Sequence, residues 1–295
     1  MLVVAGPTAV GKTDLTLDLA ERTGAEIIVA DSRQIYRGLD IGTAKPTLEE
    51  RRGLPHHLLD VLEVGDASTA GDWHRAYERV LEDVQARGRD AIVTGGSTLY
   101  IDSVLRGPSG VPPVSDAVKR RLEVELRAPG GPERLYDELR QSDPETALTL
   151  DPTKTHRLLR YVGVLRDTGR APSSFHEPKP DLEVGLLVLT RPREELYDRI
   201  NRRVDAMIGR GLVDEVARLR GRREHGVVEA TIGYQELLPV LDGKRGLEDG
   251  IRFIKRNSRR YAKRQLTWFR RYPTSVWLDA RVATVERVLE AVPWT

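Results

Sequence analysis

A segment near the start of the chain has the residue types and spacing of a phosphate-binding loop, or P-loop. The segment consists of Gly6, Pro7, Thr8, Ala9, Val10, Gly11, Lys12 and Thr13. Its glycines let backbone N–H groups turn toward phosphate oxygens, Lys12 adds a full positive charge, and the Thr13 hydroxyl is a ligand for Mg²⁺. An apolar run precedes the segment and a helical pattern follows it, which is the context this motif needs. The sequence therefore predicts a site for a diphosphate or triphosphate.

Asp31 is the best acidic partner for this loop. It directly follows a second apolar run, residues 25–30, and ligands bind at the carboxyl ends of strands in open α/β sheets. Asp90, in contrast, precedes its strand. Two interpretations of Asp31 stay open: an acid that holds Mg²⁺ or acts as general base, or a turn residue that caps its own backbone.

The elements that position these residues alternate between strands and helices, which is typical of an α/β fold. Apolar runs predict strands at 2–5, 25–30, 90–94, 184–189 and 275–279, with helices between them. A break rich in glycine and proline, 107–113, separates this part from three predicted helices at 116–126, 132–140 and 151–168. We expect a parallel P-loop NTPase-like sheet flanked by helices, residues 1–111 and 181–295, with an all-helical insertion domain at 112–180.

Composition excludes several classes of protein. No apolar run approaches the roughly 18 residues of a membrane span, and no secretory signal is visible. The absence of cysteine excludes disulfides and thiolate zinc sites and fits a cytoplasmic enzyme. His56 and His57 are adjacent, but neighbours on a strand point to opposite faces, which favours a structural role over a metal site.

Positive charge is concentrated in two helical segments. Nine basic residues and no acidic one lie between Arg252 and Arg271, and a helical wheel gathers most of them opposite the apolar positions. Lys154, Arg157 and Arg160 similarly share one side of a predicted helix that opens with Asp151 as N-cap and Pro152 at its first position. Each stripe is either a solvated helix face or the binding surface of a polyanion, and the density of the stripe at 252–271 favours a polyanion, for which nucleic acid is the usual example.

Eight ordered blocks resemble the tRNA dimethylallyltransferases, also called tRNA isopentenyltransferases. They are GPTAVGKT at 6–13, ADSRQIYRGLDIGTAKP at 30–46, HHLLD at 56–60, GGSTLYI at 95–101, DPTKTHRLLR at 151–160, RINRRVDAMIGRGLVDEV at 199–216, TIGYQE at 231–236 and YAKRQLTWFR at 261–270. The resemblance covers nearly the whole chain. The chain has no C-terminal Cys/His zinc module, so the bacterial type is the better match.

The resemblance implies prenyl transfer from dimethylallyl diphosphate to N6 of adenosine 37, next to the anticodon of tRNA. The P-loop would then hold the donor diphosphate, with Lys12 and with Mg²⁺ on Thr13 stabilising the leaving group. By match to the family motifs, Asp31 is the base that takes the proton from N6, and Arg203 is a further diphosphate contact. An adenine stacked in an anticodon loop must be extruded, so we expect a channel that meets the donor from the opposite side.

The resemblance also assigns contacts to the tRNA anticodon stem-loop, and we take a monomer as the default. These residues are Asp31, Ser32, Arg33, Gln34, Ser97, Arg121, Thr153, Lys154, Thr155, His156, Arg157, Ala230, Thr231, Ile232, Gly233, Tyr234, Gln235, Lys263, Arg264, Gln265, Leu266, Thr267, Trp268, Phe269 and Arg270. Two positions depart from the pattern. Thr153-Lys154 replaces the common Gln-Arg, and Thr98 stands where a glycine is frequent.

Three other functions compete with this interpretation. A small-molecule kinase would place ATP in the P-loop, and an adenylate prenyltransferase would use a free nucleotide as acceptor. Neither needs the basic helices. A nucleic-acid-binding module without activity would leave the P-loop and Asp31 unexplained.

Overall fold

The computed structural model describes residues 1–108, 110–151, 153–175, 184–221, 226–292 and 294. The chain divides into two compact units. The first, called here the core unit, comprises Met1–Arg106 and Asp181–Thr295, and the second, the insertion unit, is Gly107–Pro180. The expected insertion at 112–180 lies within the second unit.

The core unit contains a parallel sheet in the order β3-β2-β4-β1-β5-β6. Its strands are β1 Leu2–Ala5, β2 Glu26–Ala30, β3 His56–His57, β4 Ala91–Gly95, β5 Gly185–Thr190 and β6 Val276–Asp279. Each neighbouring pair is parallel, with Leu2 opposite both Ile92 and Gly185. The predicted strands are confirmed, and the last one lies at an edge of the sheet.

Helices account for most of the remaining described residues. They are α1 Lys12–Thr23, α2 Ala70–Ala86, α3 Thr98–Arg106, α4 Asp116–Arg127, α5 Gly131–Ser142, α6 Pro144–Thr149, α7 Thr155–Thr168, α8 Arg193–Gly209, α9 Leu212–Leu219, α10 Tyr234–Leu241, α11 Leu247–Phe269 and α12 Val285–Ala291. No helix in these described ranges is long and apolar enough to cross a membrane.

Two hydrophobic clusters cover the two faces of the sheet. Successive residues of a strand enter different clusters: Val3 and Ile28 belong to one, Val4 and Ile27 to the other. This alternation follows from the two-residue period of a strand. Because both faces are covered, the edge at the carboxyl ends of the strands is where a ligand can reach the sheet.

Residues of the usual capping types end α1 and begin α2. Gly24 adopts a left-handed conformation with φ of 72°, and its N–H donates to the Ala20 carbonyl, which ends α1. At the start of α2, the Thr69 and Asp72 side chains each accept from the other's backbone N–H in a capping box.

The insertion unit is helical and has its own core, built around Leu122, Leu135, Leu139 and Leu158. The predicted start of its last helix at Asp151 is wrong, because α7 begins at Thr155. The Asp151 carboxylate instead accepts hydrogen bonds from the Thr153 backbone and hydroxyl, a local turn that competes with a helix. Pro152 and the end of the expected insertion, residues 176–180, lie outside the described residues.

Candidate active site

The P-loop connects β1 to α1 in a backbone shape that few side chains tolerate. Gly6 has φ of 151° and Gly11 has φ of 111°, and an added Cβ at Gly6 would lie 2.8 Å from the Leu189 carbonyl oxygen. Ala9 also adopts a positive φ, 63°. These angles turn the loop around the N-terminus of α1, where free backbone N–H groups favour an anion.

Lys12 is the cation at the centre of this loop. Its Nζ donates to the carbonyls of Gly6 at 3.0 Å and Pro7 at 2.9 Å. Burial, and to a smaller extent the neighbouring Arg203, lowers the pKa of Lys12 to about 8, while Asp31 acts in the opposite direction. The Asp31 carboxylate does not compensate the Lys12 ammonium enough to restore its usual pKa. A bound diphosphate would supply the missing negative charge.

Three arginines from β5's end and α8 surround the loop. Arg191 Nε donates to the Val10 carbonyl and Arg199 Nε to the Ala9 carbonyl, each at 2.8 Å. Arg203, one turn beyond Arg199, donates instead to the Thr43 carbonyl at 3.3 Å, and burial lowers its pKa. Arg191 and Arg199 thus fix the loop. Sequence reasoning missed these two roles, although the four-residue spacing of Arg199 and Arg203 places them on one face of α8.

Asp31 is a turn residue, the second of the two interpretations, and its role as a general base or metal-binding acid stays a prediction. Its Oδ1 accepts from the backbone N–H groups of Arg33 at 2.8 Å and Gln34 at 3.3 Å, which makes it a turn residue. Within the described part of the chain no hydrogen bond reaches Oδ2. Asp31 also lines two of the cavities described next, so one oxygen holds the turn and the other is available to a ligand.

Three cavities with shared walls occupy this edge of the sheet. An outer cavity of about 630 Å³ is lined by Lys12, Thr13 and Arg203, and a second outer cavity of about 530 Å³ by Asp31 and Arg203. A smaller cavity of about 120 Å³ has all four of these residues in its wall. After the channel that the family resemblance implies, we refer to the cavity of about 630 Å³ as the donor side, to that of about 530 Å³ as the acceptor side, and to the smallest, which shares wall residues with both, as the junction.

The P-loop is also tied to the turn after β4 through a buried glutamine. Gln265 of α11 accepts from the Thr8 N–H at 3.0 Å and donates to the Gly96 carbonyl at 2.8 Å. The next residue, Ser97, accepts from the Ser32 N–H at 2.8 Å. Ser97, Asp31 and the P-loop therefore converge at one edge of the sheet.

The histidine pair contacts other groups of the core unit. His57 Nε2 lies 2.6 Å from Glu26, which also pairs with Arg87. His56 Nδ1 donates to the Leu54 carbonyl at 2.9 Å, its pKa is lowered by burial, and it lines the junction. No group of three or more His, Asp or Glu side chains in the described ranges is arranged to hold a metal ion.

Other predicted site residues of the core unit are divided between cavity walls and interior. Thr231 and Gln235 line the acceptor side, together with Ala230, Ile232 and Gly233, whereas Tyr234 is fully buried. On α11, Lys263, Arg264, Thr267 and Arg270 are exposed, Leu266 and Trp268 are half-buried, and Gln265 and Phe269 are buried.

The cationic stripe of α11 is only partly unpaired, which corrects the sequence-based expectation. Arg252 pairs with Asp249 at 2.8 Å and Lys255 with Asp205 at 2.6 Å. Arg259 donates to Asn201 at 2.5 Å. Arg260, Lys263 and Arg264 are exposed, and no carboxylate in the described ranges pairs with them. The carboxylates that pair with Arg252 and Lys255 come from α11 itself, Asp249, and from α8, Asp205.

Within the insertion unit, the predicted contact residues lie on the surface. Arg121, Thr153, Lys154, His156 and Arg157 are exposed, and Thr155 is half-buried. Because α7 begins at Thr155, Lys154 occupies its N-cap and not its helical face. Arg160, the third member of the predicted stripe, donates to the Val111 carbonyl at 3.1 Å.

A parallel sheet with a P-loop at its carboxyl edge defines this chain as a P-loop protein of the α/β class. The family model "IPP transferase" matches residues 34–272. A tRNA dimethylallyltransferase of Thermotoga petrophila is 44% identical over 292 residues, which is 98% of this chain and 95% of that protein. One of Salinibacter ruber is 42% identical, over 99% of this chain and 91% of that protein. The chain therefore belongs to the tRNA dimethylallyltransferase family, as the sequence blocks predict.

Solved structures of the same family have the same fold. The full-length tRNA isopentenylpyrophosphate transferase of Bacillus halodurans aligns with a TM-score of 0.71 and 38% identity, over 98% of this chain and 93% of that one. A eukaryotic dimethylallyltransferase, described as acting on tRNA, aligns with a TM-score of 0.81 and 30% identity, over 95% of this chain and 73% of that one. The predicted P-loop sheet is confirmed.

Proposed function

We propose that this protein transfers a dimethylallyl group from dimethylallyl diphosphate to N6 of adenosine 37 in tRNA. The observation that carries the proposal is the junction, where Lys12, Thr13, Asp31 and Arg203 line one small cavity between two larger ones. A donor that enters from the P-loop side and a base that enters from the other side would meet there. The names and full-length similarity of the relatives support the same reaction.

The donor side is suited to stabilising a leaving diphosphate. In the reaction the bond between C1 of the dimethylallyl group and the diphosphate oxygen breaks, and the diphosphate departs with the electron pair. Lys12, Arg203 and the N–H groups at the start of α1 place positive charge where that negative charge gathers. Positive charge that is already in place before the reaction, in a site screened from water, generally stabilises the developing negative charge strongly.

The acceptor side supplies the base. N6 forms the new bond to C1 and gives up one proton. Because the lone pair of this exocyclic amine is delocalised into the ring, the amine is a weak nucleophile, and a general base assists it by taking that proton. We assign that proton to Asp31 Oδ2, while Oδ1 remains bonded to the backbone of Arg33 and Gln34. The turn thus fixes the carboxylate without consuming its second oxygen.

The residues present fit Mg²⁺ as an ion carried largely by the diphosphate. The Thr13 hydroxyl is exposed beside Lys12 on the donor side, and Mg²⁺ sites of this kind commonly use few protein ligands together with phosphates and waters. When bound, the ion would add positive charge to the leaving group. We include Mg²⁺ in the proposal on that basis.

The acceptor is proposed to be the anticodon stem-loop, bound by a monomer in the cytoplasm. The exposed cations Arg260 and Arg264 line the acceptor side, Lys263 is exposed on the same helix, and all three suit a phosphate backbone. A small acceptor such as free AMP would not need them.

The first experiment is incubation with radiolabelled dimethylallyl diphosphate, Mg²⁺ and unmodified bulk tRNA, followed by nucleoside analysis. We expect label on N6 of adenosine 37 and no transfer to free AMP. ATP hydrolysis without label on tRNA would instead support the kinase alternative. Label on AMP but not on tRNA would support the adenylate prenyltransferase.

A further inference from the structure

Glu215 is a buried carboxylate that contacts the site only through backbone and one hydroxyl. It lies on α9 with 2% of its surface exposed. Oε2 accepts from the N–H groups of Asp40 at 3.2 Å and Ile41 at 2.8 Å, and Oε1 accepts from the Gly42 N–H at 3.0 Å and the Tyr234 hydroxyl at 2.6 Å. Four donors satisfy this charge, and in the described ranges no basic side chain pairs with it.

The backbone that Glu215 holds leads directly into the channel wall. The Thr43 carbonyl, one residue after Gly42, accepts from Arg203 Nη2 at 3.3 Å and from Gln34 Nε2 at 3.1 Å. Gln34 also donates to the Ala44 carbonyl at 3.2 Å. The segment therefore positions an arginine of the donor side and the residue whose N–H binds Asp31.

Tyr234 connects the same carboxylate to the acceptor side. It is fully buried and follows residues 230–233, which line that cavity. Its ring packs so closely on Gly42 that a Cβ there would overlap the ring. Gly42 thus lets the ring and the backbone segment meet, and Glu215 bonds to both.

We infer that Glu215 is a positioning residue that fixes Arg203 and the Asp31 turn relative to the acceptor wall. The expected change in the transfer rate rests on the proposed function, whereas the expected change in pyrophosphate affinity requires only that the site binds a diphosphate. A neutral side chain of the same shape cannot accept from four donors, because an amide has only one acceptor oxygen. Loss of these bonds frees residues 40–43 and, with them, the Thr43 carbonyl that holds Arg203.

The test compares Glu215→Gln with Glu26→Gln, a matched control. Glu26 is also buried, with 1% of its surface exposed, and pairs with His57 and Arg87 at the amino end of β2, the opposite edge of the sheet. For Glu215→Gln we expect a single-turnover rate at saturating donor and tRNA that is lower by about 10- to 100-fold, the size expected for misplaced groups. Tyr234→Phe, which removes only one donor, should lower the rate less.

A binding cycle with Mg²⁺ and inorganic pyrophosphate tests the positioning without any prenyl transfer. Glu215→Gln should raise the dissociation constant about tenfold in the wild-type background and leave it unchanged in the Arg203→Ala background, because its effect passes through Arg203. Equal losses in both backgrounds would overturn the inference, as would loss with Glu26→Gln of the same size. If Glu215→Gln does not fold, the same cycle with Tyr234→Phe decides. A wild type that binds pyrophosphate but labels no tRNA would refute the proposed function and not this inference.

Discussion

Asp31 divides its two carboxylate oxygens between structure and chemistry. Replacement by Asn keeps an oxygen that can accept from Arg33 and Gln34 but removes the basic oxygen. We expect Asp31→Asn to lower the single-turnover rate by roughly 10² to 10⁴, the usual contribution of a general base, with tRNA affinity nearly unchanged. Quench-flow measurement with labelled donor gives the rate, and filter binding gives the affinity. An undiminished rate would remove Asp31 from the reaction.

The lowered pKa of Lys12 predicts a pH dependence of diphosphate binding. A pKa of about 8 means that the free protein carries the cation below pH 8 and loses it as the pH rises. Because the diphosphate binds the charged form, its affinity should fall by up to about tenfold per pH unit above pH 8. Calorimetry with pyrophosphate from pH 6.5 to 9.5 measures this.

Lys12→Met separates the protein's titration from that of pyrophosphate. The variant lacks the ammonium but meets the same ligand, so any remaining pH dependence belongs to pyrophosphate or to other groups. We expect weaker binding and a shallower decline above pH 8. Identical slopes for the two proteins would contradict the assignment to Lys12.

At this scale the sequence predicts residues that belong to contiguous motifs. The P-loop, Asp31 and Ser97 lie where strand ends must meet, so their convergence follows from local patterns. The structural roles of Gln265 and Glu215 could not be predicted in the same way, because their backbone partners lie at least 169 residues away in the chain. The sequence signal of such a residue is a polar position on an otherwise apolar helix face, and this signal does not identify the group to which the side chain bonds.

The two faces of helix α11 have different roles. Its apolar face buries Ile254, Ala262 and Phe269, and its other face presents cations. Because Arg252 and Lys255 are already paired with carboxylates, only the cations further along the helix are free to replace counterions. Arg252 and Lys255 thus belong to an ion-paired surface, whereas Arg260, Lys263 and Arg264 form a surface that is available to a phosphate backbone.

Lys263→Ala with Arg264→Ala should therefore weaken tRNA binding and flatten its salt dependence. Each lost phosphate contact reduces the slope of log K against log salt by about 0.7 to 0.9, so two contacts reduce it by about 1.5. The matched control is Arg252→Ala with Lys255→Ala, which removes the same charge from the paired half. Equal changes in slope for the two pairs would mean that the pairing seen in the fold does not matter for binding.

Helix boundaries were predictable where the cap is local and contiguous. The capping residues Thr69 and Asp72 and the terminal Gly24 are sequence signals that lie at the observed helix ends. Asp151 instead bonds to Thr153, and α7 begins at Thr155, three residues after the predicted first position. Short helices were harder. The eight-residue α10 contains Pro239, and its position depends on the tertiary contacts of Tyr234 with Glu215 and of Glu236 with Asn257, which periodicity alone does not reveal.

As a whole molecule, the chain has two compact units that each expose predicted RNA contacts. The core unit contains every residue of the proposed chemistry, from the P-loop to Arg203, and the insertion unit presents Arg121 and residues 153–157 on its own surface. Acceptor binding through both units would add affinity without altering the donor side. This separation predicts that substitutions in the insertion unit change tRNA binding alone.

Lys154→Ala with Arg157→Ala should weaken tRNA binding while pyrophosphate affinity stays at the wild-type value. Lys119→Ala with Arg140→Ala is the control, since these exposed cations of the same unit already pair with Asp116 and Asp137. Combined with Lys263→Ala and Arg264→Ala, the losses in binding free energy should add to within about 0.5 kcal/mol, because the sites share no partner. Filter binding at several salt concentrations measures all four proteins. A combined loss no larger than that of the core pair would show that the insertion unit binds no phosphate of the tRNA, and the acceptor would then be held by the core unit alone.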